Sequence, residues 1–149
     1  MSTAPPRIRT ALPADAAAAA VLFTELGYPS STEDMRRRLP RLIADGTQCV
    51  LVAEDGCGAV VGCMHIGFED TLVSDSAAQI MGMVVAATHR RRGIGRALVR
   101  AGEAWARAQG GTSVRVRTNA IRQEAPAFYA GLGYLHTKTQ LAFRKKLIP

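Results

Sequence analysis

The hydrophobic positions of the chain follow two periods, and each period predicts one type of element. Ser31 or Thr32 is placed to cap a helix that contains Pro40, and this proline favours a kink or two short helices. An alanine-rich run that ends at Leu26 predicts an earlier helix, with Gly27 as its stop. Apolar residues recur at helical spacing in two segments, which are Met35, Leu39, Leu42 and Ile43 in one and Ile94, Leu98, Ala101 and Trp105 in the other.

Short apolar runs and alternating segments predict strands between these helices. A further helix is expected from about Glu124 to Leu132, because Pro126 is tolerated only in a first helical turn. The order of elements predicts a mixed α/β layer fold in a single domain over residues 7–149, after a flexible tail of residues 1–6. The predicted strands are residues 7–10, 49–53, 59–68, 79–86, 113–118, 134–136 and 140–146.

Length and composition exclude several classes of protein. A chain of 149 residues with 48% hydrophobic and 21% charged residues is typical of one globular domain. The longest apolar run, Ala16 to Phe23, is far shorter than the ~20 residues that a membrane span needs. The three cysteines form no CxxC pair, and the first residues do not resemble a signal peptide. We therefore expect reduced thiols, no membrane partner and a cytoplasmic location.

The net charge of +7 favours a polyanionic ligand, namely nucleic acid, acidic membrane or a phosphorylated cofactor. Only 5% of the residues are aromatic and no base-stacking motif is present, which argues against nucleic acid. His65, His89 and His136 are far apart in the sequence, so we expect no metal site. The arginine run at positions 36–38 is predicted to be a solvated helix face.

The most informative segment is a basic glycine turn between a predicted strand and a predicted helix. Gly93 and Gly95 let the backbone approach a bulky ligand, and the helix N-terminus presents free N–H groups to an anion. The chain has no Gly-Lys pair, and Leu98 stands where the dinucleotide fingerprint has its third glycine. A phosphate site other than a P-loop or a Rossmann turn is therefore predicted. The seven residues of this turn, 90–96, include four arginines, at positions 90, 91, 92 and 96.

The pattern Arg90-x-x-Gly93-x-Gly95 resembles the acyl-CoA pyrophosphate loop of the GNAT N-acetyltransferase family. The segment Phe128-Tyr-Ala-Gly-Leu-Gly-Tyr134 resembles the end of that family's last helix, and the resemblance covers nearly the whole chain. It implies a central mixed, mostly antiparallel sheet, splayed near Val85, with helices on both faces. It also implies a homodimer and direct transfer of acetyl from acetyl-CoA to a primary amine of a small molecule or peptide.

The resemblance assigns roles to particular residues. Tyr129 matches the tyrosine that protonates the departing CoA thiolate, and a phenol of pKa about 10 is protonated at neutral pH. Many members have asparagine seven residues before this tyrosine, where this chain has Arg122. Asn119, three residues earlier, is the candidate for the CoA contact, with Arg122 as the alternative. The backbone of Met83, Val84 and Val85 would pair with the pantetheine arm. The pyrophosphate would lie against Arg90, Arg91, Arg92, Gly93, Ile94, Gly95 and Arg96.

The general base stays open at this point, because the strand before the glycine turn has no carboxylate. Glu69, Asp70 and Asp75 in the preceding loop, or His65, are the candidates. The three acids also predict an entrance that attracts a cationic amine. The missing strand carboxylate leaves a non-catalytic acyl-CoA-binding sensor as one alternative, and the basic charge leaves a nucleic-acid-binding module as another.

Overall fold

The computed structural model describes residues 5–74, 76–118 and 124–149. The chain forms two compact units, residues 1–117 and residues 118–149. Within the described residues, the first unit contains the sheet and three α-helices, and the second contains one short α-helix. The predicted single domain over residues 7–149 stays a prediction.

A five-stranded mixed sheet forms the centre of the first unit, with its strands in chain order. The first three pairings are antiparallel and the last one, between β4 and β5, is parallel. This arrangement confirms the mixed, mostly antiparallel sheet. The predicted strand at residues 113–118 is shorter than expected, since only three of its residues pair. The strands are β1 (Arg7–Thr10), β2 (Gln48–Glu54), β3 (Val60–Glu69), β4 (Ala77–Val85) and β5 (Val114–Val116).

Three helices accompany the sheet: α1 (Ala16–Leu26), α2 (Thr32–Ala44) and α3 (Ile94–Ala108). Gly27 ends α1 with φ of 111°, and Ser31 caps α2 by accepting a hydrogen bond from the Asp34 amide at 3.0 Å. The prediction of two short helices is wrong, because α2 continues through Pro40 as one helix with Leu39 packed in the core. None of the described helices has the length and apolar character that crossing a membrane requires.

The two faces of the sheet pack against different helices. Cys63 and Val84 lie in a core cluster with residues of α1 and α2, including Leu22 and Leu39. On the opposite face, a Cβ atom at Gly62 would lie 3.1 Å from Leu98 Cδ1 of α3. Helices therefore cover both faces, as the resemblance implied.

The second unit contains α4 (Glu124–Gly131), which ends in a turn at Gly133 with φ of 92°. The predicted strands at residues 134–136 and 140–146 are wrong, since no strand forms among the described residues 124–149. The side chains of Leu141 and Phe143 are 82% and 89% exposed. Alternation along a sequence produces a strand only where a neighbouring strand supplies ladder hydrogen bonds and an apolar surface, and these residues have neither.

Arg9 of β1 joins three parts of the first unit through its guanidinium group. It donates to the two carboxylate oxygens of Asp15 at 2.8 and 2.9 Å, and its Nε donates to Glu54 of β2. The Asp15 carboxylate also accepts the Leu12 amide at 2.7 Å, at the turn that leads into α1. The hydrogen bonds from Arg9 lower the pKa of Asp15. This network ties the edge of the sheet to the start of α1.

We expect Arg9→Met to lower the free energy of unfolding by about 2 kcal/mol, because it leaves the buried Asp15 carboxylate without its charged partner. Arg7→Met on the same strand, at an exposed position, should change it little. Because the pairing lowers the pKa of Asp15, the loss of stability in Arg9→Met should be complete above pH 3.8 and should shrink as the pH falls further. Urea titrations at pH 7 and pH 3 measure both effects. Equal stability of the two variants would contradict this role of Arg9.

Candidate active site

The second edge of β4 is open over half of the strand. β5 pairs with Ala78, Gln79 and Ile80, and no described strand pairs with this edge from Met81 to Val85. The opposite edge of the same segment is paired with β3, where Val85 lies opposite Gly62. The N–H and C=O groups on this edge can therefore bind an extended ligand in the manner of an added strand. The Val85 carbonyl at its end also accepts a long hydrogen bond from Arg90 Nε, at 3.5 Å.

The open edge leads into the turn that begins α3. Arg91 and Gly93 both have positive φ, 62° and 80°, so the backbone winds tightly just before the helix. Gly93 is the N-cap of α3, and its lack of a side chain means that no cap hydrogen bond covers the helix end. The sequence motif thus forms the strand–turn–helix that a phosphate-binding loop requires.

The start of α3 offers the donors and the charge that a pyrophosphate needs. The first N–H groups of an α-helix have no partner within the helix, and the first turn of α3 contains no acidic residue. Arg91, Arg92 and Arg96 are exposed, and no ion pair involves them in residues 5–74, 76–118 and 124–149. Positive side chains at a positive helix end favour an anionic ligand. These residues fit the phosphates of a CoA ester.

Two contacts fix the connection between β4 and α3. The Ala87 amide donates to Glu25 Oε1 of α1 at 2.6 Å. His89 Nε2 lies 3.6 Å from Asp55 Oδ2 in the β2–β3 hairpin. Because both partners belong to the frame of the first unit, the turn is held in position by that frame.

A pocket of about 210 Å³ lies between α1, α2 and one face of the sheet. Its walls are largely apolar and include Phe23, Met35 and Leu42. Gly82 of β4 lines it as well, together with the neighbouring Met81, so the pocket adjoins the open edge. Met81 is an extra residue in β4, since His65 lies opposite Gly82 and Ile66 opposite Ile80.

His65 lies in this pocket with a defined proton arrangement. Its Nε2 is 2.6 Å from the side-chain oxygen of Gln48, and an amide oxygen can only accept, so the proton is on Nε2. The Gln48 amide nitrogen points to Thr47 Oγ1 at 3.4 Å, which is consistent with this orientation. Burial lowers the pKa of His65 below its ordinary value of 6.5. The ring is therefore neutral at pH 7, with Nδ1 available to accept a proton.

The acidic loop is far from the glycine turn. Glu69 pairs with Ala77 at the start of β4, whereas the turn follows Val85 at its end, about 27 Å away along the strand. Glu69 lies 4.0 Å from Arg117, and Asp70 lines a separate small cavity with residues at the C-terminal end of α3. Asp75 is outside the described residues. The described acids therefore lie at the start of β4, away from the turn, and their role in attracting a cationic amine stays a prediction.

Tyr129 belongs to the second unit and is buried there in an aromatic cluster. Its ring packs edge-on against Phe128 and Tyr134, with centroids 5.0 and 5.6 Å apart. Burial raises the pKa of the phenol to about 12, so the hydroxyl keeps its proton at neutral pH. Asn119 and Arg122, the two predicted alternatives for a CoA contact, lie outside the described residues.

The sequence arguments missed two polar residues of the pocket. Gln48 orients His65, and Arg38 lines the rim although it was predicted to be part of a solvated helix face. The helical spacing of Met35, Arg38 and Leu42, three and four residues apart, could have placed Arg38 beside the apolar face of α2. No sequence signal marks Gln48, because its pairing with His65 depends on the register of β2 and β3.

Known proteins resemble this chain in sequence and in fold. The sequence model of the Acetyltransferase (GNAT) family matches residues 16–134. An aminoglycoside N(6′)-acetyltransferase type 1 from Stenotrophomonas maltophilia is 29% identical over 100% of this chain and 99% of that protein. A mycothiol acetyltransferase from Mycobacterium sp. (strain JLS) is 32% identical over 77% of this chain, but this covers only 35% of that protein. The structure of AAC(6′)-Iy in complex with a CoA-containing bisubstrate analogue superposes with a TM-score of 0.84 at 16% identity, over 96% of this chain and 99% of that one.

The mixed sheet with helices on both faces is the fold that this chain shares with that acetyltransferase structure. The chain belongs to the GNAT family of acetyltransferases, because the family match spans most of its length. It is an enzyme that transfers acetyl to an amine, which confirms the predicted family, fold class and activity. The alternatives of a nucleic-acid-binding module and a non-catalytic sensor are not favoured.

We expect Gly95→Asp to abolish acetyl-CoA binding while leaving the fold intact. A carboxylate in the first turn of α3 stabilises the helix by about 0.3–1 kcal/mol through its dipole, but it repels the phosphates and fills their space. Gly46→Asp adds the same charge at the opposite end of the sheet, where a side chain has open space, and should bind normally. Calorimetric titration with acetyl-CoA compares the variants. Wild-type affinity in Gly95→Asp would remove the phosphate-loop assignment.

Proposed function

We propose that this protein transfers acetyl from acetyl-CoA directly to a primary amine of a small molecule. The observation that carries the proposal is the open edge of β4 leading into the basic turn at the start of α3. The pantetheine arm of acetyl-CoA is extended, contains amides and ends in phosphates. It therefore matches an open strand edge that is followed by the unpaired N–H groups of a helix N-terminus. Relatives named as aminoglycoside and mycothiol acetyltransferases support a small-molecule acceptor.

Different residues around the turn bind different parts of acetyl-CoA. The backbone of Met83 to Val85 pairs with the pantetheine arm, and the N–H groups of Ile94 to Arg96 face the pyrophosphate. Arg90, Arg91 and Arg92 add positive charge beside it. Acetyl-CoA supplies the electrophilic thioester carbon and a thiol leaving group.

Proton transfer from the acceptor is the task for which the enzyme needs a base. An alkylammonium of pKa about 10.4 costs about 4–5 kcal/mol to deprotonate at pH 7. Nδ1 of His65 accepts this proton, because the ring is neutral and lies opposite Gly82, three residues before the end of β4. The titratable or charged groups that share its pocket are Arg38, Tyr28 and Cys63.

Tyr129 returns a proton to the sulfur that leaves. A phenol whose pKa is raised to about 12 keeps its proton at neutral pH, so Tyr129 is present as the acid and not as a base. The two titratable groups thus have opposite roles, set by opposite protonation states at pH 7.

The experiment that tests the proposed function measures thiol release from acetyl-CoA with a panel of primary amines. Amine-dependent release with formation of the N-acetyl product is expected, and release by hydrolysis alone would contradict it. The homodimer and the cytoplasmic location stay predictions. Light scattering after size-exclusion chromatography tests the dimer, and cell fractionation tests the location.

We expect Tyr129→Phe to lower kcat about 10²-fold, because the acid that protonates the thiolate is lost while the ring remains. Acetyl-CoA affinity should be nearly unchanged. Tyr134→Phe, in the same aromatic cluster, is the matched control and should keep most of its activity. Steady-state kinetics with a working amine decide between them. Full activity of Tyr129→Phe would make Tyr129 a packing residue only.

We expect His65→Gln to lower kcat/KM about 10²-fold and to change its pH profile. In the wild type, activity should fall as His65 becomes protonated, and burial places this acidic limb below pH 6.5. The variant should lack the limb, whereas His136→Gln, at an exposed position in the second unit, should retain it. Rate measurements from pH 5 to pH 9 give both profiles. An unchanged acidic limb in His65→Gln would assign the base to another group.

A further inference from the structure

The size of the pocket beside Gly82 limits what it can hold. Its volume is about 210 Å³, and an apolar cavity of about 150 Å³ in another protein holds one benzene molecule. There is thus room inside it for one ring-sized or branched apolar group. Phe23, Met35, Leu39 and Leu42 form an apolar wall that favours such a group.

The charges around the pocket are of one sign. Among the residues that line it, all of them in the described part of the chain, none is aspartate or glutamate. Arg38 is the permanently charged side chain of the lining, and it is exposed at the rim. A polycation would therefore lose hydration without gaining a partner, whereas an anionic group would gain one.

Of the acids nearest to the lining in sequence, Asp34 and Glu25 have other partners, and Glu33, which is exposed on α2, does not line the pocket. Asp34 accepts hydrogen bonds from Ser31 and Arg37, and Arg37 is 3.1 Å from its carboxylate. Glu25 accepts the Ala87 amide at 2.6 Å. Neither supplies the negative charge that several ammonium groups would require. Arg38 forms no ion pair within 4 Å among residues 5–74, 76–118 and 124–149, although its charge acts on Asp34, one turn earlier in α2.

We propose that this pocket selects an acceptor with one amine, one ring-sized apolar group and one carboxylate, the composition of an apolar amino acid. The apolar group lies against α1 and α2, the carboxylate lies at Arg38, and the amine lies toward His65 and Gly82. This inference rests on the proposed acetyl transfer and specifies its acceptor. It separates this protein from the aminoglycoside relative, although that relative matches the whole chain.

The test compares four amines as acceptors with the wild-type protein. L-Phenylalanine has all three groups, L-phenylalaninamide and phenethylamine lack the carboxylate, and kanamycin A is a polycation. We expect kcat/KM to be highest for L-phenylalanine and about tenfold lower for the two amines without a carboxylate, which is the value of one charge-assisted hydrogen bond. Kanamycin A should be the poorest acceptor. Equal or better turnover of kanamycin A or phenethylamine would overturn the selection while leaving acetyl transfer established.

Arg38→Gln should remove the preference for L-phenylalanine over its amide. Arg36→Gln is the matched control, since Arg36 is exposed on the same helix and does not line the pocket. The same loss of preference in both variants would contradict a specific role of Arg38. Calorimetric titration of N-acetyl-L-phenylalanine into the wild type and both variants adds a readout that needs no turnover. If no amine is acetylated, the proposed function fails. Binding of N-acetyl-L-phenylalanine that is weakened in Arg38→Gln alone still supports the pocket assignment. Binding that does not depend on Arg38 overturns that assignment.

Discussion

The antiparallel ladder between β3 and β4 is the constraint on which the rest of the first unit depends. Because side chains alternate along a strand, this one register sends Cys63 and His65 toward α1 and α2 and sends Met64 and Ile66 toward α3. A shift of one residue would exchange the two packing faces. The extra residue in β4, Met81, lies where the strand passes from the paired region with β5 to the open edge.

The same ladder relates the two halves of the site. It holds one edge of β4 completely, so the other edge can stay free without loss of the strand. The ladder also fixes the position at which β4 ends and the glycine turn begins. Glu25 and Asp55, from other elements, contact the connection at this point. The open edge of β4 and the pocket on its face are therefore separated by the geometry of a single strand, so the proposed donor and acceptor sites do not overlap.

Local patterns predicted the parts of this protein that depend on local physics. The Ser31 cap, the Gly27 stop and the turn at Gly93 follow from residue types in sequence, and the structure contains each of them. Contacts between distant segments were not predictable in this way. His65 looked no better than Glu69 as a base until the register placed one opposite Gly82 and the other opposite Ala77. The strand predicted at residues 140–146 failed for the same reason, because alternation alone does not provide a partner strand.

Burial of Cys63 has a chemical consequence for an enzyme that handles thioesters. A thiol beside the acceptor pocket is a rival nucleophile, and only its thiolate form attacks. Desolvation, with a smaller contribution from the charge of Asp15, raises the pKa of Cys63 to about 12. At pH 7 the thiol therefore keeps its proton, so self-acylation at this sulfur is suppressed. The packing that stabilises the core also keeps the protein from consuming its own donor.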